Sequence, residues 1–109
     1  MARGDIITVA AGGGYGGKPR PAVVVQADEF SDSEAVTFCL VTSVFVDVPR
    51  TRLRIEPSPV NGIKKVSWVM ADKIMTVRSD KVGRRIGRLS AADMIALDRA
   101  VALYLGLTR

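Results

Sequence analysis

An α+β domain is predicted: a strongly bent or barrel-like antiparallel sheet with one C-terminal helix. Three observations carry this. Six short runs rich in apolar and β-branched residues, with a shorter seventh, alternate with turn-forming stretches. Beyond Ser90 the apolar residues change from strand spacing to helical spacing. The chain has 109 residues, 48% of them hydrophobic. That is enough for one domain over residues 1–109 to bury roughly 65% of its unfolded surface without staples.

The strands are expected at 6–10, 22–26, 35–41, 51–55, 66–70 and 74–77, with a short one near 86–89. Turn residues separate them at 28–33, 57–62 and 78–80, and Asn61-Gly62 marks a tight turn. Ser90 suits a helix N-cap, with Asp93 in place of the usual Glu of a capping box. Met94, Leu97, Val101, Tyr104 and Leu105 then recur at helical spacing, and Gly106 suits the stop. This predicts one amphipathic helix packed on the sheet.

Composition excludes several classes of function. No apolar run approaches a membrane span, and the N-terminus lacks the apolar stretch of a signal peptide. The single Cys39 lies in an apolar run and reads as a buried small hydrophobe. With no partner for an internal disulfide, the cytoplasm is the expected compartment. Histidine is absent, which removes imidazole acid–base chemistry and histidine-containing metal sites. Chemistry that relies on electrostatic stabilisation is favoured instead.

The net charge of +5 is unevenly spread. Between Pro21 and Pro49 there are five acids and no Lys or Arg, whereas Arg50 to Arg88 holds eleven bases against Glu56, Asp72 and Asp80. A basic second half favours a polyanionic partner, nucleic acid or an acidic protein segment.

The most informative segment runs from Gly12 to Pro21, with five glycines in six positions and then Lys18-Pro19-Arg20-Pro21. A pliable loop thus delivers one guanidinium, stiffened by two prolines, to the mouth of an apolar strand, an arrangement suited to a phosphate group. The segment is not a P-loop. That motif needs Ser or Thr after the lysine and then a helix, and here Pro19-Arg20-Pro21 leads into valines. Arg50, Arg52 and Arg54 alternate with Thr51, Leu53 and Ile55, so three guanidiniums share one face of a strand. Two readings stay open for that stripe, a charged edge strand protected against aggregation and a phosphate-tracking surface.

One order of motifs emerges from these pieces. It runs Arg3-Gly4-Asp5-Ile6-Ile7, the glycine loop, Arg20-Pro21-Ala22-Val23-Val24-Val25-Gln26, Val41-Thr42-Ser43 and Gly62-Ile63 before Ser67 and Val69. It continues with Asp72-Lys73-Ile74-Met75-Thr76-Val77, Ile86-Gly87-Arg88-Leu89-Ser90 and Leu105-Gly106-Leu107. Over nearly its whole length the chain resembles a MazF/PemK-type toxin of a bacterial toxin–antitoxin pair. The resemblance implies an SH3-like barrel, shared with CcdB, and a homodimer. It also implies a ribosome-independent endoribonuclease that cuts single-stranded RNA at short sequences and so inhibits translation and growth. Cleavage in such proteins is attack of the 2′-hydroxyl on the adjacent phosphate, leaving 2′,3′-cyclic phosphate and 5′-hydroxyl ends without metal or cofactor. An acidic cognate antitoxin blocks the groove.

Residue by residue, the resemblance puts catalysis on Arg20 and Thr42, assisted by Asp72, with Ser43 beside Thr42; RNA contacts are expected at Tyr15, Gly17, Lys18, Ser43, Arg50, Arg52 and Arg54. Some members carry an Arg two residues before the Asp, where this chain has Met70, and some carry a loop His, where it has glycines and Tyr15. A guanidinium keeps its proton at ordinary pH, so the natural task for Arg20 is neutralising charge that builds on the phosphate oxygens. Asp72 is a candidate acceptor for the 2′-hydroxyl proton. Each has a plainer alternative: an ion-pair partner for Arg20, a strand residue for Thr42, a turn or cap residue for Asp72. Two further functions stay open, a gyrase-binding toxin of the CcdB kind that does not catalyse, and a member that binds RNA or antitoxin without cutting.

Overall fold

Strand β1 (Asp5–Val9) opens the chain and pairs on one side with β2 (Arg20–Val24). The computed structural model describes residues 1–10, 18–48 and 50–109, so Tyr15 and Gly17 lie outside the described residues. The chain continues through β3 (Ala35–Thr42), β4 (Arg52–Ile55), β5 (Ser67–Arg78) and β6 (Val82–Arg88) to helix α1 (Ala91–Tyr104). The strands form one antiparallel sheet in the order β4-β5-β3-β2-β1-β6. The sheet is bent without closing into a continuously hydrogen-bonded barrel, since β4 and β6 are its two edges.

The bend has a cause in the residue pattern. The central strands are apolar on both faces, and β3 buries Val36, Phe38, Cys39, Leu40 and Val41. One face, with Ile6, Val23, Cys39, Val41 and Val69, packs under α1 through Leu97. The other, with Ile7, Val9, Ala22, Val24, Phe38 and Leu40, is covered where the sheet curls and brings in Met75, Val77 and Val82. Burying each such aliphatic side chain is worth about 1.5–3 kcal/mol, so a flat sheet with one face in water would forfeit much of the driving force.

Several boundaries differ from the expectation. The residues at 66–70 and 74–77 belong to one strand, β5, and the break between them is an irregularity in pairing. Cys39 pairs with Ile74 and Val41 with Val69, so two steps along β3 span five along β5. Strand β6 is longer than its apolar content suggested, because it is held by pairing with β1 from Asp5↔Arg88 to Val9↔Val82. In α1, Ser90 caps as expected, its Oγ accepting the N–H of Asp93 at 3.1 Å. Leu97 is fully buried, but Tyr104 and Leu105, expected on the packed face, are about half exposed in and just beyond the last turn. Among the described residues no helix is long and apolar enough to cross a membrane.

Candidate functional site

The start of β2 and the end of β3 lie side by side. Val9 pairs with Arg20 across β1–β2, and Ala22 with Leu40 across β2–β3. Extending the second register by two residues aligns Arg20 with Thr42. Pro19 and Pro21 fix the backbone on either side of Arg20, whose side chain is exposed at the strand entrance.

From there a cleft of about 360 Å³ opens. Four cations line it: Arg20, Lys64, Lys65 and Arg84. Among the described residues three with hydroxyls join them, Thr8, Ser43 and Ser67, and no Asp or Glu is part of the lining. Four like charges around one depression repel each other and are tolerable chiefly because each is exposed. The arrangement is complementary to a run of phosphates.

Local hydrogen bonds place these cations. Thr8 Oγ1 accepts the backbone N–H of Arg84 at 3.1 Å, and Gly83 lets the strands approach there, since a Cβ would lie 2.3 Å from that oxygen. Ser67 Oγ donates to the carbonyl of Lys65 at 2.8 Å. The loop before the lysines is organised by Asn61, which is 7% exposed. Its Oδ1 accepts from Ser58 N–H at 3.0 Å and Ile63 N–H at 2.9 Å, while Nδ2 donates to the Glu56 carbonyl at 2.7 Å. Gly62 follows with φ +69°, and Arg88 N–H donates to the Val60 carbonyl at 3.0 Å, tying the loop to β6.

Of the site residues expected from the sequence, Arg20 and Ser43 line this cleft; Lys64, Lys65 and Arg84 also line it and were not among them. The available signal was a lysine pair directly after the Asn61-Gly62 turn, bracketed by Ile63 and Val66. Thr42 sits beside the cleft, outside its lining. It pairs with Trp68, and its Oγ1 accepts the N–H of Val44 at 3.1 Å, leaving its own O–H to donate. Lys18 is exposed.

The three arginines of the stripe are not equivalent in their surroundings. Arg52, opposite Met70, reaches Asp72 with two parallel bonds, Nε to Oδ1 and Nη2 to Oδ2, each 3.2 Å. Its side chain is 12% exposed. Arg54 pairs with Glu56 at the surface, and Arg50 precedes β4. Asp72 thus takes its guanidinium partner from the neighbouring strand. Asp72 is engaged with it and is not part of the cleft lining at Arg20.

Burial alone would raise the Asp72 carboxyl. The Arg52 hydrogen bonds and charge, a backbone N–H and nearby Lys73 outweigh it and hold the group below its ordinary value of 3.8. A lowered folded-state value means that the carboxylate contributes stability in full above its unfolded-state value. That contribution fades as pH falls through the lowered folded value. Asp72→Asn is therefore expected to cost stability at pH 7 and to flatten the acid limb of stability below about pH 4. Urea melts at pH 7 and pH 3 check this, and equal losses at both would contradict it. Burial pushes the Cys39 thiol up to about 12, so it stays protonated and takes no part as a nucleophile. Among the described residues no group of three or more His, Cys, Asp or Glu is placed to hold a metal ion.

The sequence matches, over residues 2–105, the family described as the PemK-like, MazF-like toxin of type II toxin–antitoxin systems. It is 45% identical over 107 residues to the probable endoribonuclease MazF of Mycolicibacterium smegmatis, covering 98% of each chain. The structure superposes with a TM-score of 0.81 on an endoribonuclease in complex with its cognate antitoxin from a mycobacterial species, at 25% identity over 100% of this chain and 98% of that one. It superposes at 0.82 on the Mycobacterium tuberculosis toxin MazF-mt6, at 24% identity over 96% and 99% of the chains, a likeness of fold.

Proposed function

We infer the activity from one premise: this chain belongs to the PemK-like, MazF-like toxin family of type II toxin–antitoxin systems, and it is an endoribonuclease. Its substrate is single-stranded RNA, cut at a short sequence without the ribosome, a metal or a cofactor. The observation that supports this most is the cleft, where Arg20, Lys64, Lys65 and Arg84 meet three hydroxyls with no carboxylate among the lining residues.

In the reaction the 2′-oxygen attacks the adjacent phosphorus, the bond from phosphorus to the 5′-oxygen breaks, and a 2′,3′-cyclic phosphate forms. The 2′-hydroxyl loses its proton to water and the departing 5′-oxygen gains one from water. Arg20 supplies forked donors where negative charge grows on the phosphorane oxygens, and Thr42 donates its free O–H to the same group. Ser43, Lys64, Lys65 and Arg84 hold the flanking backbone, with Lys18 at the entrance. Tyr15 and Gly17 contribute to RNA contact from the glycine loop. Asp72 acts through Arg52, keeping that guanidinium in place, and Arg50 and Arg54 add charge beyond it.

The experiment is digestion of a long unstructured RNA in excess EDTA, with both new ends sequenced and chemically typed. Cuts at one short sequence with cyclic-phosphate and 5′-hydroxyl ends support the reading, and a requirement for added metal overturns it. Lys64→Ala, Lys65→Ala and Arg84→Ala should each weaken RNA binding about equally across sequences and lower the slope of log affinity against log salt by about 0.7, the single-strand value per phosphate contact. An unchanged slope in all three would remove them from the interface.

The protein works as a symmetric homodimer, its groove shared between two copies. Sedimentation at micromolar concentration showing only an 11.7 kDa species would contradict this. A structural relative was solved with its cognate antitoxin. For this chain the partner is an acidic antitoxin segment with apolar anchors, disordered until bound, that competes with RNA for the cations of the cleft. RNA affinity unchanged by saturating antitoxin peptide would separate the two sites. The protein acts in the cytoplasm, where RNA and antitoxin meet, and fractionation of its host tests this.

A further inference from the structure

Directly across the strand pair from Thr42 lies the chain's single tryptophan. Thr42 and Trp68 are register partners, so their side chains emerge on the same side of the sheet, with Cα atoms about 4.5–5.5 Å apart. Phe45, three residues past Thr42, stands edge-on to Trp68, with ring centroids 5.4 Å apart and planes at 62°. The pair is not sealed in the core, since Phe45 is 63% exposed and Trp68 only half-buried. Its neighbours Val44, Val46 and Val48 are exposed as well. Around the rings is a depression of about 180 Å³ that Arg52 and Arg54 also line, with Asp47 as the one acid among its lining residues.

An aromatic pair left in water is costly to keep, and stability does not account for Phe45 at this position. Two cations beside an aromatic face are what a single-stranded nucleic acid requires, with the base stacked on a ring and its phosphates met by arginine. Arg54 can turn to a phosphate at small cost, because its pair with Glu56 is exposed and worth little. Continuity with the catalytic end then decides between occupants. A strand whose scissile phosphate lies at Arg20 and Thr42 has its adjacent nucleotide within reach of Trp68.

We propose that Phe45 and Trp68 form a stacking platform for the base flanking the cleavage point, and so help to set which sequences are cut. The proposal rests on the ribonuclease reading above. Stacking supplies affinity without demanding one particular base, since every base has a π-face. Asp47 adds discrimination, because its carboxylate accepts from the exocyclic amine of A, C or G and has no such donor to meet on U.

The probe is a 2′-O-methyl oligonucleotide of the sequence found by end-mapping the cut RNA, which binds but cannot be cleaved. Titration into the wild-type protein should quench Trp68 emission saturably. Phe45→Ala should weaken binding roughly tenfold, in the range for losing one base–aromatic contact. It should raise KM with kcat nearly unchanged, and leave the melting temperature close to wild type. Probes carrying an abasic residue at each position in turn locate the contact. One flanking position should matter in the wild type and cease to matter in Phe45→Ala, a coupling that a merely structural role would not produce. Trp68→Phe keeps a ring and should keep most of the affinity, whereas Trp68→Leu should not.

Wild-type RNA affinity in Phe45→Ala, or abasic effects that are the same in both proteins, overturns the platform while leaving the nuclease intact. Quenching by an acidic apolar peptide but not by the oligonucleotide assigns the rings to a protein partner and also overturns it. A wild-type protein that cuts no RNA fails the underlying activity, a result separate from all of these.

Discussion

Arg20→Ala is expected to reduce single-turnover cleavage of a labelled oligonucleotide by roughly a hundredfold or more, the scale for losing one donor aimed at a developing oxyanion. The side chain is exposed at a strand entrance between Pro19 and Pro21, so the fold sets its position before RNA arrives. Its contribution then grows as negative charge accumulates on the phosphorane, and the loss should fall on kcat more than on binding. Arg20→Lys keeps the charge but replaces the planar fork with a single ammonium, and should lose nearly as much. Thr42→Val should lose less, since it removes one neutral donor. Melting curves of all three should overlay the wild type, because none of these side chains belongs to the buried core. Full activity in Arg20→Ala would falsify the mechanism.

Gly62→Ala is expected to be the most damaging single-methyl change to the fold. Gly62 has φ +69°, where an L side chain costs about 1–2 kcal/mol. A Cβ there would lie 2.1 Å from the carbonyl oxygen of Ile86, and that atom is backbone of β6, already paired with β1. Forcing such an overlap apart costs about 1–3 kcal/mol more. The melting temperature should fall by about 10 °C or more. RNA binding should weaken too, since the displaced loop carries Lys64 and Lys65. Gly106→Ala is the control, for it also has positive φ, +76°, but nothing lies within 4 Å of the added methyl. If both variants melt alike, close approach to β6 is not what requires glycine at position 62.

How much of this was legible beforehand depended on the range of the interaction. Strands β1 to β4 were found from apolar and β-branched runs, and α1 from the Ser90 cap and 3.6-residue spacing, because those signals are local. Strand β6 was underestimated because Gly83, Arg84 and Arg85 look like turn and surface residues. In the fold Gly83 permits contact with Thr8, and Arg85 pairs with Asp5. Ala71-Asp72-Lys73 resembled a strand end because the pairing irregularity of β5 depends on β3, which lies some thirty residues earlier. The same limit applied to the site. Arg20 and Ser43 stand beside recognisable motifs, whereas Lys64 and Lys65 enter the cleft on a loop held by Asn61, and Arg84 through the pairing of β6 with β1. The pairing of Arg52 with Asp72 was likewise hidden until β4 was aligned on β5. The comparisons with known proteins bear out the family resemblance.

The pairing of the first strand with the last has a consequence in time. Asp5 faces Arg88, and Arg84 reaches the cleft that Arg20 opens only when β6 lies against β1. Synthesis runs from the N-terminus, and contacts so distant in sequence form late. A ribosome making this chain is therefore expected to carry an incomplete nuclease until the last quarter has emerged, which would spare the message being read. Chains arrested before Val82 and assayed while still tethered should leave RNA intact, whereas those released at full length should cut it. Cleavage by the arrested chains would show that the first five strands suffice.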